Sequence, residues 1–249
     1  MTNILINGIN GKMGQEIIKA STNYKELNIV AGIDTKEENI NIPTYNSYKD
    51  IKEKIDLIID FSLPEGTLNI LEYAKKNNIP IVIGTTGFNK EQQDKILEYS
   101  KSIPVFQSSN MSIEINLMCN IVSKLAKELT DSDIEIVETH HRNKVDSPSG
   151  TALMLANSIN ESLNNKMNYI YDRHSIKGKR TDKEIGIHSI RGGTEVGKHT
   201  VLFFGNNESF EITHTVNSRS IFAQGALKAA LYLLDKKPGF YTMQDIIGG

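Results

Sequence analysis

Short apolar runs rich in isoleucine and valine recur through the first 110 residues, and segments of helical pattern separate them. Within these runs apolar and polar side chains do not alternate, which is typical of a parallel sheet because helices cover both of its faces. The clearest intervening helices are predicted at Glu65–Asn77 and Asn89–Ser100. The pattern therefore predicts an α/β fold with a doubly wound parallel sheet. Its strands are predicted at Asn3–Asn7, Leu27–Asp34, Asp56–Ser62, Ile79–Thr86 and Ile103–Ser108.

The pattern changes after Ser112. Apolar residues at three- and four-residue steps predict a longer helix over Ser112–Leu129, which we expect to cross between two domains. The order of elements that follows predicts an α+β domain with an open, mixed and mainly antiparallel sheet. The polar stretch Asn165–Glu184 is predicted to be a long surface loop that could act as a lid. The other elements are strands at Ile134–Thr139, Ile185–Arg191, Thr200–Gly205 and Phe210–Val216, and a helix at Thr151–Leu163.

A last strong helix is predicted over Ile221–Leu234. A doubly wound sheet needs helices on both faces, so we assign this helix to the first domain. The predicted domains are therefore a discontinuous dinucleotide-binding domain, residues 1–112 and 219–249, and a substrate-binding domain, residues 113–218.

Charge and composition exclude several classes of protein. The 28 basic and 30 acidic residues give a formal net charge of −2, which offers no broad positive field for nucleic acid. The single cysteine, Cys119, excludes an internal disulfide and a zinc site built from thiolates, and its apolar surroundings predict a core position. No apolar run approaches the ~20 residues that span a bilayer, and the N-terminus has no secretory pattern. We expect a cytoplasmic protein with neither a membrane nor nucleic acid as partner.

A glycine-rich turn, Gly8–Gly14, stands between the first predicted strand and a helix. Glycine lets the backbone approach a pyrophosphate, and the helix N-terminus offers N–H groups and a positive dipole end, as in a Rossmann fold. The spacing departs from G-x-G-x-x-G, since residue 9 is Ile9. Asp34 follows Gly14 by 20 residues, where a carboxylate can accept hydrogen bonds from ribose hydroxyls. The alternative is a tight turn without a ligand.

Asp34 also bears on the choice of cofactor. A carboxylate there repels a 2′-phosphate, which favours NADH over NADPH, although Lys36 could partly compensate. We predict that NADH is preferred or that both are used. Two further loops leave strand ends at the same sheet edge and are candidates for binding the nicotinamide half: Gly84–Gly87 and Ser109–Ser112.

Two adjacent histidines, His140 and His141, follow the strand predicted at the start of the second domain. Histidine has an ordinary pKa that suits proton exchange near neutrality, so either could supply the proton that accompanies hydride addition. Neighbouring residues of a strand face opposite ways, so both can contact one ligand only if the strand ends there. Otherwise one of them is structural. A metal site is a further alternative, but no third ligand stands at a recognisable spacing.

An anion cradle is predicted directly after the histidines. Ser149 can cap a helix that begins near Thr151, whose first N–H groups favour a carboxylate or phosphate, and Lys144 adds a positive charge. By itself Ser-Pro-Ser-Gly-Thr is a routine helix start, and no G-x-S-x-G elbow supports a hydrolase. We interpret the whole as a nicotinamide-dependent reductase acting on a small anionic metabolite. A dinucleotide-binding sensor without chemistry is the rival hypothesis.

The chain resembles the 4-hydroxy-tetrahydrodipicolinate reductases, also called dihydrodipicolinate reductases, over nearly its whole length. The most specific match is the run His-His-Arg-x-Lys-x-Asp-x-Pro-Ser-Gly-Thr-Ala, which begins at His140. The other matching segments are Gly8–Gly14, Asp60–Ser62, Pro64–Thr67, Gly84–Phe88 and Ser109–Ser112.

The resemblance implies hydride transfer from NADH or NADPH to a cyclic imine dicarboxylate, with loss of water, in lysine and diaminopimelate synthesis. It implies that His140 donates or accepts a proton, that Lys144 is a second donor, and that His141 contacts substrate. Ser149, Gly150 and Thr151 are then expected to hold a substrate carboxylate. The implied cofactor contacts are Gly8, Ile9, Asn10, Gly11, Lys12, Met13, Asp34, Gly84, Thr85, Thr86, Ser109, Asn110, Met111 and Ser112.

The resemblance also implies a homotetramer built through the sheet of the second domain. Two positions depart from the family pattern. Met111 stands where phenylalanine is common, and the segment after Asp34 lacks the arginine that many members have. These departures bear on cofactor packing and on NADPH affinity. A reductase of another small dicarboxylate stays an alternative.

Overall fold

The computed structural model describes residues 1–35 and 41–248, which fall into two compact units. The first unit contains residues 1–112 and 219–249, and the second contains residues 113–218. The strands are β1 (Thr2–Asn7), β2 (Leu27–Ile33), β3 (Thr44–Tyr45), β4 (Leu57–Asp60), β5 (Ile81–Ile83), β6 (Pro104–Gln107), β7 (Asp133–His140), β8 (Asn168–Ile170), β9 (Glu184–Arg191), β10 (Gly197–Phe204), β11 (Ser209–Val216) and β12 (Gly239–Tyr241). The helices are α1 (Lys12–Ser21), α2 (Pro64–Asn77), α3 (Lys90–Ser100), α4 (Ile113–Glu128), α5 (Gly150–Ser162), α6 (Ser220–Leu233) and α7 (Met243–Ile247).

The first unit is built on a parallel sheet with strand order β12-β6-β5-β4-β1-β2-β3. All residues of β4 and β5 are buried, which explains their unbroken apolar sequence. Helices α2 and α3 pack together, while α6 packs on α1 and on β4, β5 and β6. The strand order reverses at β1, between β4 and β2. The predicted Rossmann-like doubly wound sheet is confirmed.

The second unit has a five-stranded sheet with order β11-β10-β7-β9-β8. The first two pairings are antiparallel and the last two are parallel, so the sheet is mixed rather than mainly antiparallel. Helices α4 and α5 pack on each other and cover one face. Helix α4 lies wholly within this unit, so the expectation that it crosses between domains is wrong. The sheet residues beneath the helices are Ile134, Ile136, Ile185, Ile187, Val201 and Phe203.

The predicted surface loop Asn165–Glu184 contains a strand. Residues 168–170 form β8, which pairs with the start of β9. The Arg180 guanidinium donates to Glu135 at 3.1 Å and to the carbonyl of Ile134 at 3.1 Å. These partners lie at the start of β7, whereas His140 is its last residue, about 20 Å further along the strand. The loop prediction is therefore wrong for β8, and the anchoring of Arg180 argues against a lid over His140.

Candidate active site

The glycine turn of the first unit is shaped by close backbone contacts. Gly8 has a φ of +85°, and a Cβ there would lie 2.5 Å from the carbonyl oxygen of Phe61. A Cβ on Gly14 would lie 2.4 Å from the carbonyl oxygens of Gly8 and Ile9. Glycine is required at both positions, because any side chain would push the turn away from β4 and α1. Gly11 stands at the start of α1 and supplies no side-chain cap.

Asp34 lies beside this turn. Its Oδ2 atom accepts a hydrogen bond from the N–H of Asn10 at 3.0 Å. Asp34 and the turn border a cavity of about 610 Å³ at the carboxyl ends of β1, β2 and β4, where ligands of doubly wound sheets bind. No pattern in the sequence pointed to Asn46, Ser47 and Tyr48. The cavity is lined by Asn7, Gly8, Gly11, Ile33, Asp34, Thr35, Asn46, Ser47, Tyr48, Phe61, Ser62, Leu63, Glu65, Gly66, Asn69 and Ile70.

Some predicted cofactor contacts have buried side chains. Ile9 is fully buried and packs against Gly32, so only its backbone could meet a ligand. Met111 is 2% exposed, and a Cβ on Gly225 would lie 1.8 Å from its carbonyl oxygen. Lys12 is exposed and Met13 half-buried. Lys36, which could offset the charge of Asp34, lies outside the described residues.

Asp60 organises the same sheet edge. It is fully buried, and its carboxylate accepts hydrogen bonds from Asn7 at 2.7 Å, Ser62 at 2.6 Å, Thr67 at 2.6 Å and Thr85 at 2.8 Å. Burial raises the pKa of Asp60, and the four hydrogen bonds oppose this. The hydroxyl of Thr85 therefore stabilises the fold through its hydrogen bond to Asp60. The sequence showed Asp60 only as part of the family resemblance.

The other predicted loops follow β5 and β6, farther along this edge. A Cβ on Gly84 would lie 2.3 Å from the ring of Phe61, so this glycine permits a close approach. After β6, the Ser112 N–H donates to the side chain of Asn110 at 2.8 Å. Both loops thus have the fixed backbones that a ligand site needs.

In the second unit, strand register brings the polar residues together. On the helix-covered face of β7, buried Ile134 and Ile136 are followed by Glu138 and His140. Glu138 lies opposite His199 of β10 and Ser189 of β9, and His140 lies opposite Arg191 of β9. The apolar core therefore gives way to a polar cluster at one end of the sheet. We call Glu138, His140, Ser149, Arg191 and His199 the polar cluster.

Glu138 is at the centre of the polar cluster and is fully buried. Its carboxylate accepts from His140 Nδ1 at 2.5 Å, from the two terminal nitrogens of Arg191 at 2.7 and 2.8 Å, and from the Ser149 N–H at 3.1 Å. Burial alone would raise the pKa of Glu138, but hydrogen bonds from Arg191, Ser189 and His140 outweigh it and lower the pKa to about 2. Glu138 is therefore ionised at neutral pH.

His140 is the last residue of β7, and His141 follows outside the strand. The strand therefore ends between the two histidines, which is the condition for both to contact one ligand. Burial lowers the pKa of His140, and it outweighs the opposing effect of Glu138. The main-chain N–H of His141 donates to Glu195 at 2.7 Å. Its ring Nδ1 is buried with no hydrogen-bond partner in the described part of the chain.

Lys144 and the start of α5 complete the site. The Lys144 ammonium donates to Asp146 at 2.8 Å. Ser149 caps α5, and its hydroxyl accepts from the Ala152 N–H at 3.1 Å. This hydroxyl also contacts His199 Nε2 at 3.0 Å, and Ser149 is 2% exposed, so its side chain holds the helix start in place.

Gly150 follows the cap and is exposed. Apart from its chain neighbours and the backbone of α5 itself, no atom of the described residues lies within 4 Å of the position that a Cβ would take there. The side of α5 at Gly150 is thus open to a ligand. The described residues hold no group of three or more His, Cys, Asp or Glu side chains arranged for a metal ion.

Comparison with known proteins decides the family. A model described as the N-terminus of dihydrodipicolinate reductase matches residues 2–111, and one described as its C-terminus matches residues 114–247. The chain belongs to the dihydrodipicolinate reductase family. It is therefore an oxidoreductase, as predicted, and its Rossmann-like unit supports a nicotinamide cofactor.

The relatives span the same length. The chain is 46% identical over 247 residues to a 4-hydroxy-tetrahydrodipicolinate reductase of Caldanaerobacter subterraneus subsp. tengcongensis, covering 99% of this chain and 98% of that protein. It is 48% identical to the enzyme of that name from Clostridium novyi, with 99% and 98% covered. A dipicolinate-bound dihydrodipicolinate reductase from Paenisporosarcina sp. TG-14 superposes with a TM-score of 0.81 at 25% identity, with 99% of both chains covered.

Proposed function

We propose that the chain transfers hydride from a reduced nicotinamide dinucleotide to 4-hydroxy-tetrahydrodipicolinate, the reaction named for its relatives. The hydroxyl leaves as water, and one hydride and one proton saturate the ring bond that results. The observation that carries this proposal is the polar cluster beside the start of α5, which is open on the side of Gly150. It combines a group that can exchange a proton with N–H groups that can hold a carboxylate. A dinucleotide-binding sensor would have no use for it.

The second unit is proposed to hold the dicarboxylate. The N–H groups of Gly150 and Thr151 would bind one carboxylate, with Ser149 fixing the helix start. His141 would contact the ring substituents, and Lys144 would neutralise charge and act as a second proton donor. His140 would exchange the proton. The dipicolinate bound by the solved relative supports a ring dicarboxylate as ligand.

The first unit is proposed to hold the cofactor, which supplies the hydride when it is bound. The turn Gly8–Met13 would approach the pyrophosphate, and Asp34 would accept hydrogen bonds from the ribose. The loops Gly84–Thr86 and Ser109–Ser112 would bind the nicotinamide half. The turn and Asp34 fit the group, because Gly8, Gly11 and Asp34 border one cavity of about 610 Å³. The two loops are not part of the lining of that cavity, and they are proposed from their place after β5 and β6 at the same sheet edge.

NADH is proposed to be preferred, because the carboxylate of Asp34 would repel a 2′-phosphate. Replacing it in Asp34→Ser should raise the affinity for NADPH relative to NADH by ~10-fold, which is about 1.4 kcal/mol. Fluorescence titration of both cofactors measures this ratio. Asp94→Ser, a change on α3, is the control for the loss of one negative charge. An unchanged ratio in Asp34→Ser would rule out the proposed contact.

The second unit is also proposed to mediate assembly into a homotetramer. Helices α4 and α5 cover one face of its sheet, and the other face exposes Ile190 by 50% and Phe204 by 42%. Val137 and Leu202 lie half-buried on that face. Apolar side chains on an uncovered sheet face are typical of a surface that pairs with another subunit.

The reaction is tested by following NADH oxidation with enzymatically generated substrate. In His140→Ala and Lys144→Ala we expect kcat to fall by about 10²- to 10⁴-fold, the usual contribution of a positioned proton donor, with the Kd for NADH nearly unchanged. The controls His174→Ala and Lys179→Ala remove exposed side chains of the same types from the loop after β8. A wild-type protein that binds NADH but does not oxidise it would favour the sensor.

A further inference from the structure

The hydrogen bonds of Glu138 fix the protonation state of its neighbour. The carboxylate has no solvent exposure, accepts two N–H groups from Arg191 and one from Ser149, and lies 2.5 Å from Nδ1 of His140. An ionised carboxylate can only accept, so His140 must carry a proton on Nδ1. In the neutral ring the other nitrogen, Nε2, is then the basic atom.

The start of β10 lies close to Nε2 of His140. A Cβ on Gly197 would lie 3.1 Å from Nε2, so a larger residue at the start of β10 would crowd this nitrogen. Because Nδ1 is bound to Glu138, Nε2 is the atom through which His140 can exchange a proton with a ligand. The opposite tautomer would place a lone pair against Glu138.

The charges around His140 come from four elements. Glu138 is on its own strand, Arg191 on β9 and Lys144 in the loop after β7. His199 on β10 lies edge-on, with 5.1 Å between ring centroids. Burial and the nearby His140 lower the pKa of His199 to about 3, so this ring is neutral. Arg191 offsets the charge of Glu138, so the carboxylate orients the imidazole without holding it permanently protonated.

We propose that Glu138 is the positioning residue of this reductase. Clamped by Arg191 and by the N–H of Ser149, it holds His140 with a proton on Nδ1 and presents Nε2 for proton exchange. The bond to Ser149 also ties the histidine to the start of α5, where the substrate carboxylate is proposed to bind. This inference rests on the proposed role of His140 as the proton donor.

The test compares Glu138→Gln with the wild-type protein. The amide that this variant introduces can donate to Nδ1 of His140, which favours the tautomer with the proton on Nε2. We expect kcat to fall by about 10²- to 10⁴-fold, as for carboxylates that fix the tautomer of a catalytic histidine. The Kd for NADH should change by less than about twofold. Loss of the negative charge should also move the limb of the kcat–pH profile that reports His140 to lower pH, because Glu138 acts to raise that pKa.

Glu135→Gln is the matched control. Glu135 lies on the same strand and accepts from His188 at 2.7 Å and from Arg180 at 3.1 Å. It therefore binds a histidine and an arginine, as Glu138 does, but on the opposite face of the sheet. It should keep the kcat–pH profile of the wild type. If Glu138→Gln does not fold, the double variant Glu138→Gln with Arg191→Met removes the unpaired buried charge and restores folding. The same fall in kcat is expected there.

A second readout does not depend on turnover. Nitrogen-15 NMR of the imidazoles, with the His140 signals assigned by their absence in His140→Gln, reports which nitrogen carries the proton. A proton on Nδ1 in the wild type and a changed tautomer in Glu138→Gln would support the inference. A proton on Nε2 in the wild type, or an unchanged kcat in Glu138→Gln, would overturn it. If the tautomers are as expected but His140→Ala keeps full turnover, the proton role of His140 fails instead.

Discussion

At the scale of single residues, His199 should make the protein sensitive to acid. It is 3% exposed, and burial together with the nearby His140 lowers its pKa from 6.5 to about 3. As the pH falls from 6.5 towards 3, His199 binds a proton in the unfolded chain but stays neutral in the folded chain. The free energy of unfolding should therefore fall by up to ~1.4 kcal/mol per pH unit through this group. Above pH 6.5 the contribution is complete.

Urea unfolding at pH 7 and pH 5 measures the effect. His199→Gln should lose part of the pH dependence, because glutamine does not titrate. His174→Gln, which changes an exposed histidine, should keep the wild-type dependence. Equal pH dependence in His199→Gln and the wild type would show that His199 titrates normally in the folded protein.

The sequence predicted some residues of this site, His140 and Lys144, but not Arg191 and His199. His140 and Lys144 stand in a dense polar run of the sequence. Residues 134, 136, 138 and 140 are every second residue of the predicted strand, which places them on one of its faces. Arg191 is 53 residues from Glu138 along the chain, and His199 is 50 residues from Ser149. They reach Glu138 only through the register of β9 and β10, which a single sequence does not specify.

At the scale of elements, the cap of α5 should matter both for stability and for substrate binding. Ser149→Ala removes the hydroxyl that accepts from Ala152, and we expect a loss of about 0.5 to 2 kcal/mol in the free energy of unfolding. The KM for substrate should rise, because the N–H groups of Gly150 and Thr151 are less well fixed. Denaturant unfolding and steady-state kinetics measure the two effects.

Asn89→Ala provides a matched control. Asn89 caps α3 of the first unit by accepting from Gln92 at 2.9 Å. Its loss should lower stability by a similar amount and leave the KM for substrate unchanged. If the two variants had the same KM, the start of α5 would have no part in binding substrate.

The ends of helices and strands could be predicted where the apolar pattern extends over many residues. Helix α2 begins at Pro64 where Glu65 was predicted, and β9 begins at Glu184 where Ile185 was predicted. The missed strands β3, β8 and β12 have two or three residues each. So short a run has no recognisable period, and these strands form because neighbouring strands offer free edges to pair with.

At the scale of the whole molecule, the uncovered face of the second sheet should govern assembly. Phe204→Lys places a charge on that face and should reduce the proposed tetramer to smaller species. Sedimentation velocity measures the mass. Phe240→Lys, which changes an exposed phenylalanine of the first unit, should leave the assembly unchanged. A wild-type protein that sediments as a monomer at micromolar concentration would contradict the proposed tetramer.

Fold, family and reductase class followed from the sequence and are confirmed. Within the described residues, no helix combines the length and apolar character that a bilayer crossing requires. The cytoplasmic location, the tetramer and the preference for NADH stay predictions. They depend on the cell, on other copies of the chain or on small differences in binding energy, which a single chain's pattern does not record.

The central claim is that residues 138–151 of the second unit hold the dicarboxylate and supply the proton. A crystal structure of the protein with NADH and dipicolinate tests it most directly. We predict one carboxylate of dipicolinate about 3 Å from the N–H groups of Gly150 and Thr151, with His140 Nε2 facing the ring. A ligand bound elsewhere, with His140 and Lys144 turned to solvent away from the nicotinamide, would contradict the account.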